Sequence, residues 1–287
     1  GAFVGYSLIG DHRKNGSSGG IATWLLETIL KQGIADYAVC VSVCNDPHRF
    51  FSFSITSSIS TVRDSARSAY YPVDLSDALR FIIKTPGRYA VTALPCFAKA
   101  LRLAMLRRTM LRERITAIIG LVCGQLKSDL FARYVAGCAG MQTAPQQVNF
   151  RCKDTSRRAN DFYFSYKSGS ENKKIYFKDK PLEAWANGWF TPNACRFCDD
   201  IYAELADITV MDAWLPEYTE DPEGTSLIIS RSRDMDELIK DGKKRGELIL
   251  NPISIDDVIR SQGAVIEYKR RWLAYRLYRF GRKDQPV

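Results

Sequence analysis

The sequence predicts a mixed α/β fold: a central, mostly parallel sheet flanked by helices, with a small antiparallel β-rich insertion. Two short apolar runs, at 89–94 and 115–122, flank an amphipathic basic segment at 97–112, which is the strand–helix–strand order of a parallel unit. Residues 145–180 are polar and aromatic with strand-like pieces, which predicts the insertion. The 287 residues are 46% hydrophobic and 25% charged, a composition that excludes disorder over most of the length.

The N-terminal half alternates between predicted loops, helices and strands. A short strand-like start and a polar loop precede the segment Gly16–Gly20, and apolar residues then recur at helical spacing from Ile21. The other predicted elements of this half are strands over 37–43 and 50–61, a helix over 75–84, a strand over 89–94, a helix over 97–112, a strand over 115–122 and a helix over 127–138.

The change of composition after residue 144 divides the chain into an α/β core over 1–144 and a C-terminal part over 145–287. Two helices and a basic tail are expected to close the chain. The strands predicted in this second part cover 148–151, 162–166, 174–177, 206–210 and 227–230.

The formal net charge of +9 favours an anionic partner, although solvated helix faces explain such charge equally well. No apolar run approaches the roughly 18 residues of a membrane helix. No signal peptide is visible, so we expect a cytoplasmic protein. The basic residues form two clusters, Arg102, Arg107, Arg108, Arg112 and Arg114 in the first, and Lys269, Arg270, Arg271, Arg276, Arg279, Arg282 and Lys283 in the second.

Four of the eight cysteines are candidate metal ligands. Cys96 and Cys123 each follow a predicted strand, and the carboxyl ends of parallel strands are where ligand sites lie. Cys195 and Cys198 have the two-residue spacing that lets thiolates share a metal or a cluster. The spacing leaves an iron–sulfur cluster, a zinc site and separate roles open. Cys40, Cys44 and Cys138 lie in apolar stretches and are expected in the core, whereas Cys152 is ambiguous.

The segment Gly16–Gly20 precedes a helix and has the flexibility of a phosphate-binding loop. A flexible lead-in to a helix cap explains it as well.

Two other functions, nucleophilic catalysis by a cysteine and nucleic-acid binding, find little support in the sequence. A Cys96 nucleophile would need His12 or His48 as its base, and the basic clusters carry no nucleic-acid-binding motif. We therefore expect no nucleic-acid partner.

Seven segments follow one another in a distinctive order along the chain: Gly16–Gly20 with Thr23, Ser68–Pro72, Ala93–Cys96, Gly120–Gly124, Phe150–Lys153, Cys195–Cys198 and Glu204–Asp207. Taken together, they resemble the beta-subunit family of coenzyme F-420 (deazaflavin) hydrogenases and dehydrogenases, from about Tyr6 to Lys269. Ala69 stands where that family commonly has lysine.

The resemblance implies an iron–sulfur flavoprotein oxidoreductase with FAD and a 4Fe-4S cluster, and a flavin-binding role for residues 1–144. Lys153 would also stabilise negative charge on the reduced flavin, which makes it the candidate catalytic residue. Carried over residue by residue, the cluster ligands are Cys96, Cys123, Cys195 and Cys198. The residues implied to bind FAD phosphates are Ser17, Ser18, Gly19, Gly20 and Thr23, with further flavin or substrate contacts from Ser68, Tyr70, Arg151 and Lys153.

The same resemblance implies two kinds of partner. One is an organic hydride acceptor such as the deazaflavin coenzyme, and the other is an electron-transfer protein, either a ferredoxin or a hydrogenase or dehydrogenase subunit. Many relatives carry a ferredoxin-like domain for which there is no room before Tyr6, so we expect either that electrons arrive from a separate protein or that the sequence is truncated. The basic clusters would dock an acidic ferredoxin. The alternative is a non-catalytic four-cysteine metal module that docks on an anionic partner.

Overall fold

The computed structural model describes residues 1–46 and 48–281, and its strands form one large and one small sheet. Arg282 and Lys283 of the second basic cluster lie outside the described residues. The strands are β1 (Ala2–Ser7), β2 (Tyr37–Asp46), β3 (Arg49–Thr56), β4 (Tyr89–Ala93), β5 (Ile115–Leu121), β6 (Gln147–Cys152), β7 (Tyr163–Ser168), β8 (Glu171–Tyr176), β9 (Ile208–Asp212), β10 (Ser226–Ser230) and β11 (Leu248–Pro252).

The large sheet has the order β11-β1-β10-β9-β5-β4-β2-β3. Its centre, β9-β5-β4-β2, is parallel, and antiparallel strands extend it at both edges. The small sheet, β6-β7-β8, is antiparallel throughout. This architecture confirms the predicted mixed α/β class and the β-rich insertion. The sequence analysis did not predict strand β11.

Helices cover the large sheet and lead to the chain's C-terminal end. The helices are α1 (His12–Asn15), α2 (Ile21–Lys31), α3 (Ile59–Asp64), α4 (Ser76–Lys84), α5 (Pro95–Arg107), α6 (Thr109–Arg114), α7 (Asp129–Cys138), α8 (Lys180–Ala186), α9 (Asn193–Arg196), α10 (Pro216–Thr219), α11 (Arg233–Lys244), α12 (Ile255–Ser261), α13 (Gly263–Ile266) and α14 (Leu273–Gly281), with a π-helical turn (Glu267–Arg271) before α14.

The helix predicted over 97–112 is two helices in the structure. Arg108 has extended backbone dihedrals, φ −134° and ψ 103°, and it separates α5 from α6. Among the helices of the described residues, none combines the length and apolar character that crossing a membrane requires.

Apolar packing on both faces of the large sheet builds a three-layer arrangement. On one face, Trp24 and Ile29 of α2 pack with Ile239 of α11. On the other face, Ile82 of α4 and Leu101 of α5 belong to a second buried cluster. The small sheet packs against α7 and α8 through aromatic rings. Burial of these side chains supplies the main driving force for the fold.

The two parts divided at residue 144 meet in the large sheet. Residues 1–144 contribute β1–β5, and β9–β11 come from the second part. The small sheet begins directly after the division, at β6. Because β4, β5 and β9 are parallel neighbours, the loops that follow them open at the same edge of the sheet.

Candidate functional site

Three separate segments bring four cysteines, hereafter the cysteine site, to one edge of the large sheet. Cys96 lies in the first turn of α5, directly after β4, and Cys123 follows β5. The Cys123 N–H donates to Ile201 O at 3.0 Å, which joins the β5 end to the segment after the Cys195–Cys198 turn. The thiols of Cys195 and Cys198 act electrostatically on both Cys96 and Cys123. The four cysteines that the sequence grouped are therefore neighbours.

Two thiols of the cysteine site, those of Cys96 and Cys123, have raised pKa values. Burial raises the pKa of Cys123 to about 12; the Lys269 ammonium opposes this shift and the other thiols add to it. The pKa of Cys96 is also raised, first by desolvation of its thiol and then by Cys198. Within residues 1–46 and 48–281, no three His, Cys, Asp or Glu side chains are arranged to hold a single metal ion.

The C-terminal helices hold the cysteine loops in place. Lys269 Nζ donates to Asp200 O at 2.5 Å and to Cys123 O at 3.2 Å. Arg276 Nε donates to Arg196 O at 2.7 Å, inside the Cys195–Cys198 turn. Lys269 and Arg276 of the second basic cluster therefore have a structural role that sequence reasoning missed. The only sequence signal was the charge cluster itself, since partner carbonyls 69 and more residues away leave no local pattern.

Phe280 of α14 adds a further contact to the Cys195–Cys198 turn. Its ring contacts the ring of Phe197, between the two cysteines of the turn, with centroids 4.9 Å apart in an edge-to-face arrangement.

Two arginines of the first basic cluster also make internal hydrogen bonds. Arg102 Nη2 bonds Asp207 at 2.7 Å, and Arg114 Nη1 donates to carbonyls of the α4 C-terminus, including Ile82 O at 2.7 Å.

Lys127 is a second buried lysine beside the cysteine site. Its side chain is fully buried, and Nζ reaches only neutral acceptors. Burial lowers the pKa of Lys127 to about 8, and the Cys195 thiol opposes this shift. The four acceptors are Trp189 O at 2.8 Å, Thr191 Oγ1 at 3.1 Å, Gln125 Oε1 at 3.3 Å and Ala184 O at 3.3 Å.

The glycines of the Gly16–Gly20 segment are required by close backbone packing. A Cβ on Gly19 would lie 2.5 Å from Gly5 O, and one on Gly20 would lie 2.4 Å from the His12 carbonyl carbon. Gly20 also has φ +77°, in the left-handed region. The Gly19 N–H donates to Ser226 Oγ at 2.9 Å, so one backbone donor of the segment is already used.

Hydroxyl groups connect the glycine segment to the regions around it. The Ser68 N–H donates to Ser17 Oγ at 2.7 Å, and the two hydroxyl oxygens are 3.0 Å apart. Ser18 Oγ donates to Thr225 O at 2.6 Å. Thr23 is buried on α2. The structure thus brings together the glycine segment and the Ser68 segment, which the resemblance implied to serve one cofactor.

Arg151 and Lys153 hold the same segment from the small sheet. Arg151 is buried with φ +58°, pairs with Asp212 at 2.5 Å and donates to Ser17 O at 2.9 Å. Lys153 Nζ donates to Ser18 O at 2.7 Å, to Glu223 O at 2.5 Å and to Arg13 O. Burial, with help from the nearby arginines, lowers the pKa of Lys153 to about 7.

Tyr70 lies in an aromatic group between the Ser68 segment and the small sheet. Its ring centroid is 4.7 Å from Trp185 and 5.4 Å from Phe150. Burial raises the pKa of the Tyr70 hydroxyl, while hydrogen bonding with Arg151 and Ser68 lowers it. Tyr70, Ser68, Arg151 and the glycine segment therefore form one contiguous group.

A pocket of about 180 Å³ opens beside this group. Its walls combine apolar rings with hydroxyl, amide and guanidinium groups, a composition typical of small-molecule sites. The lining residues are Asn15, Val41, Ser42, Val43, Phe51, Arg63, Asp64, Ser65, Ala66, Arg67, Ser68, Ala69, Val148, Asn149 and Phe150.

His12 has a structural partner and no contact with a cysteine. Its Nε2 pairs with buried Glu27 at 2.8 Å, and its Nδ1 lies 3.2 Å from Ser7 Oγ. His48 is exposed. Within the described residues, neither histidine forms the hydrogen bond to Cys96 that a base acting on it would use.

Comparisons with known proteins identify the family. Residues 2–80 match the N-terminal model of the coenzyme F-420 hydrogenase/dehydrogenase beta subunit, and residues 87–256 match the model of its C terminus. No curated protein matches the sequence.

Among solved structures, the chain resembles one from the F-420-reducing NiFe hydrogenase complex of Methanosarcina barkeri, described for a xenon derivative. The TM-score is 0.73 at 17% identity, over 96% of this chain and 91% of that chain. At that identity, the likeness establishes the fold. With both family models matching in order over most of the sequence, the chain belongs to the coenzyme F-420 hydrogenase/dehydrogenase beta-subunit family.

Proposed function

We propose that this electron-transfer oxidoreductase uses FAD and a 4Fe-4S cluster to exchange electrons with an organic hydride acceptor such as a deazaflavin coenzyme. Membership of the family supports the oxidoreductase class. The observation that carries the proposal is the grouping of four thiols from three segments at the carboxyl ends of parallel strands. Four soft thiolate donors are the donor set of iron–sulfur clusters.

The residues around the glycine segment fit a flavin nucleotide. Arg151 Nε is buried and has no hydrogen-bond acceptor within the described residues, so an oxygen of a bound ligand would satisfy it. The adjacent pocket combines the apolar rings of Phe51 and Phe150 with the polar Ser68 and Asn149. These features favour a ligand with a flat ring and polar edges.

Different residues of the chain are proposed to bind the cluster and the flavin. Cys96, Cys123, Cys195 and Cys198 would hold the cluster, and the glycine segment with Ser68, Tyr70 and Arg151 would hold FAD. When bound, these groups connect one-electron and hydride chemistry. Lys153 fixes the Ser18 carbonyl, and thereby positions the glycine segment.

The proposed catalytic action of Lys153 is electrostatic. Its ammonium already donates to three carbonyls, so it would favour negative charge on a reduced flavin through its fixed position. The aromatic group that includes Tyr70 and Trp185, beside Arg151, would exclude water from the proposed flavin site.

The partner is proposed to be an iron–sulfur electron-transfer protein, a ferredoxin or a hydrogenase-type subunit. The neighbour of the same fold is a component of a multi-subunit hydrogenase complex. Exposed Arg107, Arg108 and Arg112 would steer an acidic partner towards the surface formed by α5 and α6. If they do, the rate of ferredoxin-dependent turnover falls with ionic strength.

An anaerobic turnover assay tests this function. Reduced viologen supplies single electrons, and loss of the deazaflavin's visible absorbance reports hydride transfer. We expect turnover by the wild type and by Cys44→Ser, whose thiol lies outside the cysteine site, and none by Cys198→Ser. A wild-type protein that carries flavin and iron but does not reduce the deazaflavin would redirect the search to other acceptors. A zinc protein without flavin would instead support the four-cysteine metal module.

A further inference from the structure

Two lysines are buried beside the cysteine site without an acidic partner. Lys127 is 0% exposed and Lys269 is 2% exposed. Neither forms a salt bridge with any residue in the part of the chain that the structure describes. A buried ammonium group is costly unless an opposite charge accompanies it. Two such groups next to the same four thiols therefore call for an anion.

The neighbours of these ammonium groups show where that anion belongs. The Lys127 Nζ is held by three oxygens of the 184–191 segment and by Gln125, all neutral, and its charge interacts with the Cys195 thiol. Lys269 Nζ is held by the carbonyls of Cys123 and Asp200, and its charge acts on the Cys123 thiol. Neutral acceptors satisfy the N–H groups but leave the two positive charges uncompensated.

We propose that Lys127 and Lys269 are the built-in counter-charges of a dianionic four-thiolate centre at the cysteine site. This inference rests on the proposed function. A four-iron cluster in its oxidised state, ligated by four thiolates, is a dianion, and the two ammonium groups match that charge. Their charges act on different cysteines, that of Lys127 on Cys195 and that of Lys269 on Cys123, so the compensation is spread over the site.

The pair has a predictable effect on reduction. Adding one electron makes the centre a trianion, while no bond is formed or broken. Each fixed positive charge stabilises the reduced form more than the oxidised form, because the attraction grows with the negative charge. Lys127 and Lys269 therefore raise the reduction potential, in the way that charge and hydrogen bonds around clusters do generally.

Potentiometric titration of the reconstituted protein, followed by electron paramagnetic resonance, tests the proposal. Lys127→Met and Lys269→Met each remove one charge, and Lys127→Arg keeps it. Lys243→Met is the control, since that lysine donates to Leu250 O at 2.7 Å between α11 and β11, outside the cysteine site. We expect each buried-lysine variant to lower the reduced-to-oxidised ratio at fixed potential by about tenfold, equivalent to about 59 mV for one electron.

Lys127→Arg and Lys243→Met are expected to keep the wild-type potential. Potentials of Lys127→Met and Lys269→Met that match the control would overturn the counter-charge role. Iron and sulfide are assayed first in every sample. A wild type that assembles no cluster would overturn the proposed function, whereas a normal cluster with unchanged potentials in the variants would overturn only this inference. Should Lys127→Met fail to fold, Lys127→Gln is expected to show the same shift.

Discussion

Replacing Glu27 by glutamine should remove about 3 kcal/mol of stability, because this buried carboxylate is the common partner of three basic side chains. Glu27 is 2% exposed. It accepts hydrogen bonds from Arg63 at 2.8 Å, from Lys31 at 2.5 Å and from His12 at 2.8 Å. Glutamine keeps the size of the side chain but removes the charge, so the three donors lose their common anion.

The magnitude follows from the carboxyl group's pKa. Burial alone would raise that pKa, but the hydrogen bonds from Arg63, Lys31 and His12 outweigh it and lower the value from 4.5 to about 2. The difference corresponds to about 3 kcal/mol of folding free energy. Because the folded-state pKa is depressed, this stability is fully present above about pH 4.5 and is lost as the pH falls towards about 2.

Urea denaturation of wild type, Glu27→Gln and Glu183→Gln measures the effect. Glu183 is exposed on α8, so its substitution should change the unfolding free energy by less than about 0.5 kcal/mol. The unfolding free energy of Glu27→Gln should also depend less on pH than that of the wild type between pH 4.5 and 2. A Glu27→Gln protein within about 1 kcal/mol of wild type at pH 7 would refute the reasoning.

Two further changes test the surroundings of the glycine segment. Gly19→Ala should weaken flavin retention by about tenfold, because the new Cβ would lie 2.5 Å from Gly5 O, whereas Gly137→Ala, in open space on α7, should leave retention unchanged. Equal flavin dissociation constants in a fluorescence titration would contradict this. Asp212→Asn should cost about 3–5 kcal/mol in thermal denaturation, because it leaves the buried Arg151 guanidinium without its anion; a loss below about 1 kcal/mol would show that the pair contributes little.

The sequence sufficed for the parts of the fold that buried apolar runs determine. Strands β4 and β5 are almost wholly buried, so their residues had to be continuous apolar runs, and the class of fold followed from them. Strand β11 escaped prediction because it is a half-exposed edge strand with Asn251 and Pro252 at its end. The break at Arg108 was hidden, since basic residues continue on both sides of it.

The candidate site was likewise predictable only in part. Strand ends and the two-residue spacing made the four cysteines candidates but left separate roles open, and the family resemblance implied the full set of four. The roles of Lys127 and Lys269 could not be foreseen, because their carbonyl partners lie 57 to 146 residues away along the chain. A lysine in a sequence gives no sign that folding will bury its charge, and here only the tertiary contacts reveal it.

The most direct test of the proposed function is the iron, sulfide and flavin content of protein isolated without oxygen. We predict about four irons per chain together with bound flavin in the wild type and in Cys138→Ser, whose thiol lies on α7. Cys195→Ser should lose the iron and keep the flavin, since only the cysteine site is changed. Colourless wild-type protein containing zinc, or flavin-loaded protein that takes up no iron on anaerobic reconstitution, would contradict the assignment of the four cysteines.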